Sequence, residues 1–130
     1  MRDGRSIGRL TKRSEFVAAA AGRRFHTERM TVQGLARPDA GGDGGPRLRI
    51  GFTATKRVGH ATERNRMRRR LRAAALEALG PRSDIPVDLV VIARRPLLGA
   101  DYRALVTDLE RAVAAVAKPK GKATRGSPTL

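Results

Sequence analysis

The chain has no cysteine and no tryptophan, one tyrosine and three phenylalanines. Without thiols, disulfide bracing, thiol catalysis and cysteine-ligated metal sites are excluded. Their absence fits a reducing compartment. The scarcity of aromatic residues leaves a thin core of Ala, Val and Leu with few bulky anchors. Acidic residues are sparse too: 12 Asp and Glu face 28 Lys and Arg, a net charge of +16 and an isoelectric point near 11.8. No apolar run approaches the roughly 20 residues of a membrane span, and Met1-Arg2-Asp3 leads into no secretory apolar segment. These absences leave a soluble, cytoplasmic, strongly basic chain, and 130 residues suit one domain. A charge this large predicts a polyanionic partner, nucleic acid first and an anionic membrane surface second.

The charge is unevenly placed. Residues 1–13 carry five bases and one acid, and residues 118–130 four bases and no acid. Both ends read as basic tails. The second, rich in Pro, Gly, Ser and Thr with no apolar period, is expected to be disordered. Residues 14–117 form the single domain.

Within it, Ser14 is placed to cap a short helix over Glu15–Ala21 that stops at Gly22. Arg29–Ala36 reads as a weak strand interrupted by Gly34. The glycine- and proline-rich stretch 37–46 reads as a mobile loop. Arg47, Arg49, Gly51 and Thr53 then alternate with Leu48, Ile50 and Phe52, a strand with one face in the core and one in solvent. A helix is predicted over Ala61–Leu79, closed by Gly80-Pro81. Val87–Ala93 reads as a buried central strand. Asp101 is placed to cap a last helix whose Tyr102, Leu105, Val106, Leu109, Val113 and Val116 fall at helical spacing. The order helix, strand, strand, helix, strand, helix predicts an α+β domain, a two-layer sandwich of helices on a small mixed sheet.

Residues 64–72 read Arg-Asn-Arg-Met-Arg-Arg-Arg-Leu-Arg, six arginines and no acid in nine positions. On a helix, Met67, Leu71, Ala74 and Ala78 form the core stripe. Arg64, Arg68 and Arg72 line up beside it; Asn65 and Arg69 extend that surface, and Arg66 and Arg70 lie across the stripe. Like charges at i, i+4 cost about 0.2–0.5 kcal/mol per pair. Phosphates compensate: each guanidinium offers forked donors that match phosphate oxygens and keeps its charge at neutral pH. A merely solvated helix face usually mixes in Glu or Asp, and this one does not. Upstream, Thr53, Thr55, Lys56 and Arg57 put hydroxyls and cations at the end of a strand, which suits a single-stranded backbone.

Thr55-Lys56-Arg57-Val58-Gly59-His60-Ala61 followed by Arg64-Asn65-Arg66 resembles the signature of the bacterial ribonuclease P protein component, a Ser/Thr-Lys-Lys/Arg-x-Gly-x-Ala stretch before an Arg-Asn-Arg helix. Leu10–Phe16, Pro46–Phe52 and Val87–Arg94 extend the resemblance over about residues 9–117. It implies the protein subunit of an endoribonuclease that removes the 5′ leader of precursor tRNA. In that family catalysis belongs to an RNA subunit and its Mg²⁺ ions, and the protein binds no metal alone. The resemblance implies that Arg64, Asn65, Arg66, Arg68, Arg69, Arg70 and Arg72 contact the catalytic RNA. Phe16, Gln33, Thr53, Thr55, Lys56 and Arg57 would contact the leader. It also implies a left-handed βαβ crossover, where general rules predict a right-handed one. Gln33 stands where the family often has Tyr, His60 where it has Asn, and Ala18–Ala21 offers no second aromatic, so base stacking is expected to be weaker.

The residues themselves suggest no protein-based chemistry. His26 and His60 have no partner at metal or triad spacing. Asp84, Asp88, Asp108 and Glu110 could be read as metal carboxylates; the simpler expectation puts Asp84 in a turn and Asp108 and Glu110 on the wet side of the last helix. Gly41–Gly45 lacks the Lys-Ser/Thr of a P-loop. The alternative is a structural rRNA-binding protein of the ribosome, which size and charge suit equally. A peripheral membrane role lacks the Trp, Phe and Leu needed to enter lipid.

Overall fold

A computed structural model describes residues 7–37 and 47–117. The loop expected to be mobile over 38–46 and the tail over 118–130 lie outside the described residues. The chain runs β1 (Gly8–Arg9), α1 (Arg13–Ala20), β2 (Arg23–His26), β3 (Met30–Ala36), β4 (Leu48–Thr53), α2 (Ala61–Leu79), β5 (Val87–Ala93) and α3 (Tyr102–Val116). Single 3₁₀ turns occupy Lys56–Val58, Gly80–Arg82 and Arg95–Gly99. The sheet order is β1-β4-β5-β3-β2. β4 runs parallel to β1 and β5, and β3 runs antiparallel to β5 and β2. The sheet is therefore mixed, and α2 is the crossover between its neighbouring parallel strands β4 and β5.

Helix α2 keeps the boundaries its periodicity predicts. Met67, Leu71, Ala74, Ala75, Ala78 and Leu79 are buried. Burial of each large apolar side chain contributes about 1.5–3 kcal/mol, which outweighs the few tenths lost per like-charged pair. Tertiary packing thus holds a helix that its own charges oppose. Gly80 keeps a right-handed φ of −52° and passes directly into the 3₁₀ turn rather than forming a left-handed cap.

The helices divide between the two faces of the sheet. Leu48, Ile50, Val87, Leu89, Val91, Met30 and Val32 point to α2 and α3 and form the main core with them. The opposite face carries a second, smaller cluster of Leu10, Ala19 and Val90, against which Phe16 packs. Helix α1 therefore covers the face that the alternation of β4 assigned to solvent. Gly51 is fully within the fold, and a Cβ added there would lie 2.6 Å from the Phe16 ring. Only glycine lets the aromatic ring settle on the strand.

Local signals misplaced several details. The cap of α1 is Lys12, and Ser14 lies inside the helix. The side chain that satisfies the helix start is Glu15, which accepts the backbone N–H groups of Thr11 and Lys12, each at 3.0 Å. Residues 7–13, assigned to a tail by their charge, supply β1, the cap of α1 and its first residue, and Leu10 is buried. Asp101 precedes α3 but makes no side-chain capping bond. Asp108, expected on the wet side of α3, is 2% exposed and receives Arg29 Nε at 2.8 Å and Nη2 at 3.1 Å. The attraction of a guanidinium on the β2–β3 turn reverses the preference of that carboxylate for water.

Candidate nucleic-acid interface

Among the described residues, every ion pair lies outside residues 64–72. Arg29, Arg37, Arg49, Arg95 and Arg103 take the carboxylates of Asp108, Asp88, Glu15, Glu63, Glu77 and Glu28. The six arginines of α2 are left without an acid. Asn65, Arg66, Arg69 and Arg72 are exposed, and Arg64 and Arg68 are half-buried. Arg68 donates to Asn65 Oδ1 at 3.1 Å and to the Ala54 carbonyl at 3.4 Å, so it leans toward the end of β4. The Arg64 Nε is buried without a hydrogen-bond partner. The ridge is thus a row of cations with no internal counter-charge.

Arg70 departs from this row. Its Nη1 donates to the carbonyls of Leu97 and Leu98 at 2.9 and 3.2 Å, and its Nη2 to that of Ala100 at 2.6 Å. It closes the 3₁₀ turn after β5 against α2. Its side chain is committed to backbone oxygens, which distinguishes it from the other arginines of the segment.

Strand register assembles the second surface, on the α1 face. Gly51, Val90, Gln33 and Arg24 form one row across β4, β5, β3 and β2. Thr53, Ile92, Thr31 and His26 form the next. Four strands at the usual spacing make each row about 14 Å long. Phe16 lies over the first row at Gly51, so Phe16, Gln33 and Thr53 share one surface. Thr31 and His26 join it, with His26 Nδ1 3.1 Å from Thr31 Oγ1. Sequence reasoning missed both, because it did not find β2. The available signal was the turn before β3: the Thr27 hydroxyl accepts the N–H groups of Arg29 and Met30 at 3.1 and 3.2 Å, a bond pattern typical of threonine in turns.

Thr55, Lys56 and Arg57 are exposed beyond the end of β4. Lys56 and Arg57 line a hollow with Val58, Gly59, His60, Glu63 and Arg95. Arg95 was not foreseen. Its Nη1 bridges the Val58 carbonyl and Glu63 Oε1, both at 2.9 Å. Glu63 Oε1 also accepts the His60 N–H at 2.9 Å. The Arg95 guanidinium, and then that backbone bond, hold the Glu63 carboxyl down at about 2. Gly59 passes through this cluster with φ +159°, and a Cβ there would lie 2.6 Å from Glu63 Oε1.

The two surfaces meet at the sheet edge. A cavity of about 150 Å³ is lined by Arg9, Leu10, Phe16, Gly51, Arg68 and Arg72, among others. It passes over the outer side of β4 and joins the Phe16 cleft to the arginine ridge. No three His, Asp or Glu side chains converge on a metal position among the described residues. Asp88, a carboxylate considered for metal, is held by Arg49 Nη2 and Arg37 Nε at 2.8 and 2.6 Å. Donors neutralised by guanidinium groups do not fit a divalent-cation cage. No helix among the described residues is long and apolar enough to cross a membrane.

Comparison with known proteins identifies the family and the fold. The model of the Ribonuclease P family matches residues 6–117. A ribonuclease P protein component of Gluconacetobacter diazotrophicus is 43% identical over 104 residues, spanning 79% of this chain and 85% of the relative. That of Ruegeria pomeroyi is 41% identical over 115 residues, spanning 88% and 90%. The RNase P protein of Thermotoga maritima superposes with a TM-score of 0.61 at 25% identity, covering 79% of this chain and 96% of that one. The RNase P protein of Staphylococcus aureus shares the fold with a TM-score of 0.64 at 23% identity, covering 85% and 97%.

Proposed function

The chain belongs to the ribonuclease P protein component family, and from that premise we propose that it grips the catalytic RNA of the enzyme with one surface and the 5′ leader of precursor tRNA with the other. It is a subunit of an endoribonuclease that acts in tRNA 5′ processing, and it associates with RNA. Family membership disfavours the structural ribosomal protein that size and charge alone allow.

The observation that carries the reading is the ridge without counter-charge. Arg64, Arg66, Arg68, Arg69 and Arg72, with Asn65, form the face for the catalytic RNA. Phosphates provide the missing anions, and each contact releases condensed counterions. Arg70 acts from behind, fixing the turn at Arg95–Gly99. Phe16, Gln33, Thr53, Thr55, Lys56 and Arg57 take the leader as a single strand: Phe16 offers a ring for one base, the Thr53 row offers hydroxyls, and Lys56 and Arg57 offer cations. One aromatic gives one stacking platform, so affinity for the leader rests more on phosphate contacts than on stacking.

Cleavage is assigned to the RNA, with its Mg²⁺ ions held there, since the described carboxylates of this chain are occupied by arginines or single. The setting is the cytoplasm. Reconstitution tests the reading: the protein, the RNA subunit and precursor tRNA are combined at low Mg²⁺. Faster cleavage and tighter substrate binding than with RNA alone are expected. No gain in either overturns it.

A further inference from the structure

Helix α2 leaves one large apolar side chain in water. Leu76 is 60% exposed, one turn beyond Arg72. It forms a wall of a hollow of about 340 Å³ on the edge of the sheet, which adjoins the Phe16 cavity at Arg9, Ile50, Phe52 and Arg72 but does not include Phe16. Ile7, Ile50, Phe52 and Ala75 supply the other apolar walls, and Arg9 and Arg72 stand at its rim. Both arginines are exposed, and neither forms an ion pair among the described residues. The hollow exists because β1 is only two residues long. Its pairing with β4 ends at Arg9 opposite Ile50, so no strand covers the outer side of Phe52.

From this geometry we infer that the hollow receives one unstacked nucleobase of the RNA held by the arginine ridge, with Arg9 and Arg72 on the flanking phosphates. The inference rests on the proposed function and extends it to an apolar hollow at the Arg72 end of the ridge, next to the leader cleft. The volume lies at the low end of small-ligand sites, which suits a single base rather than a helix or peptide. Apolar walls with Phe52 among them accept the face of a base, and two cations at the mouth match the charge of its backbone. The same charges oppose a second copy of this chain, which would bring Arg9 and Arg72 against a body of net charge +16. Arg72 also lines the cavity that leads to Phe16, so a strand following the ridge passes the mouth of the hollow.

The test uses the reconstituted holoenzyme. A benzophenone amino acid placed at position 76 is irradiated, and its crosslinks are mapped. A crosslink confined to one unpaired nucleotide of the RNA is expected. Crosslinks only to a second copy of the protein, or none, overturn the inference. In parallel, Leu76→Ala is titrated with the RNA subunit across salt concentrations. Loss of an apolar wall lowers affinity about five-fold and leaves the log–log salt slope unchanged, because no phosphate contact is lost. Unchanged affinity overturns the inference while leaving the proposed function intact, provided the native protein still accelerates cleavage. Failure of the native protein to do so removes the proposed function as well. Leu76 is exposed, so the variant is expected to fold, and its circular dichroism checks that.

Discussion

Arg49 grips Asp88 with two parallel hydrogen bonds, Nε to Oδ1 at 2.9 Å and Nη2 to Oδ2 at 2.8 Å. Its third donor, Nη1, reaches Glu15 at 3.0 Å. Glu15 in turn closes the start of α1, and those backbone bonds from Lys12 and Thr11, ahead of Arg49, lower its carboxyl from the ordinary value. Bonding to Asp88 raises Arg49 in the opposite sense. One arginine on β4 thereby ties the start of α1 to the centre of the sheet, and Phe16 sits one residue past that tie.

Asp88→Ala removes the carboxylate shared by Arg49 and Arg37. Two guanidinium groups, their side chains 25% and 22% exposed, are left against the sheet. Breaking a buried pair costs about 3–5 kcal/mol, and partial exposure of the arginines places this case near 3. Urea unfolding measures it. A midpoint equal to that of the native protein would show that the network does not hold α1.

Gly51→Ala drives a methyl group into the Phe16 ring. Overpacking of this kind costs about 1–3 kcal/mol, and the ring is expected to tip off the strand. Under the proposed function, affinity for precursor tRNA falls while affinity for leaderless tRNA stays the same. Equal losses for both substrates would place Phe16 outside the leader site.

The arginines of α2 separate by their partners. Arg64→Ala, Arg68→Ala and Arg72→Ala each reduce the log–log salt slope of RNA binding by about 0.7–0.9. Arg70→Ala instead strands three carbonyls of the Leu97–Ala100 turn. It is expected to lower the melting temperature and to change the slope less than the other three. A full slope loss in Arg70→Ala with unchanged melting would reverse its assignment.

Acid titration reports on Glu63. Its carboxyl, ordinarily at 4.5, is held at about 2 by Arg95 and the His60 N–H. A group depressed in the fold contributes stability that is complete above its unfolded value and disappears as pH falls through the folded one. The melting temperature of the native protein should therefore drop between about pH 4.5 and 2 more steeply than that of Glu63→Gln. Parallel curves would show that the Arg95 contact contributes nothing in solution.

The sequence by itself determined the helix that carries the function. Met67, Leu71, Ala74 and Ala78 repeat at helical spacing, Gly80-Pro81 follows, and arginines flank the core stripe over residues 64–72. Such local periodicity needs no partner to be read. It also determined β5, whose apolar run is buried as expected, and the α+β class. Tertiary structure alone decided the rest. β2 was hidden because four residues, Arg-Arg-Phe-His, become a strand only through pairing with β3. The second covered face was hidden because Arg49 is charged, and a charged residue is read as exposed until its partner, 39 positions away, is brought to it. Asp108 on α3 was misread as wet in the same way, its partner Arg29 lying 79 positions away. For the same reason Arg70 looked like its neighbours on the helix. Its three carbonyl partners follow β5, and chain folding, not spacing, delivers them.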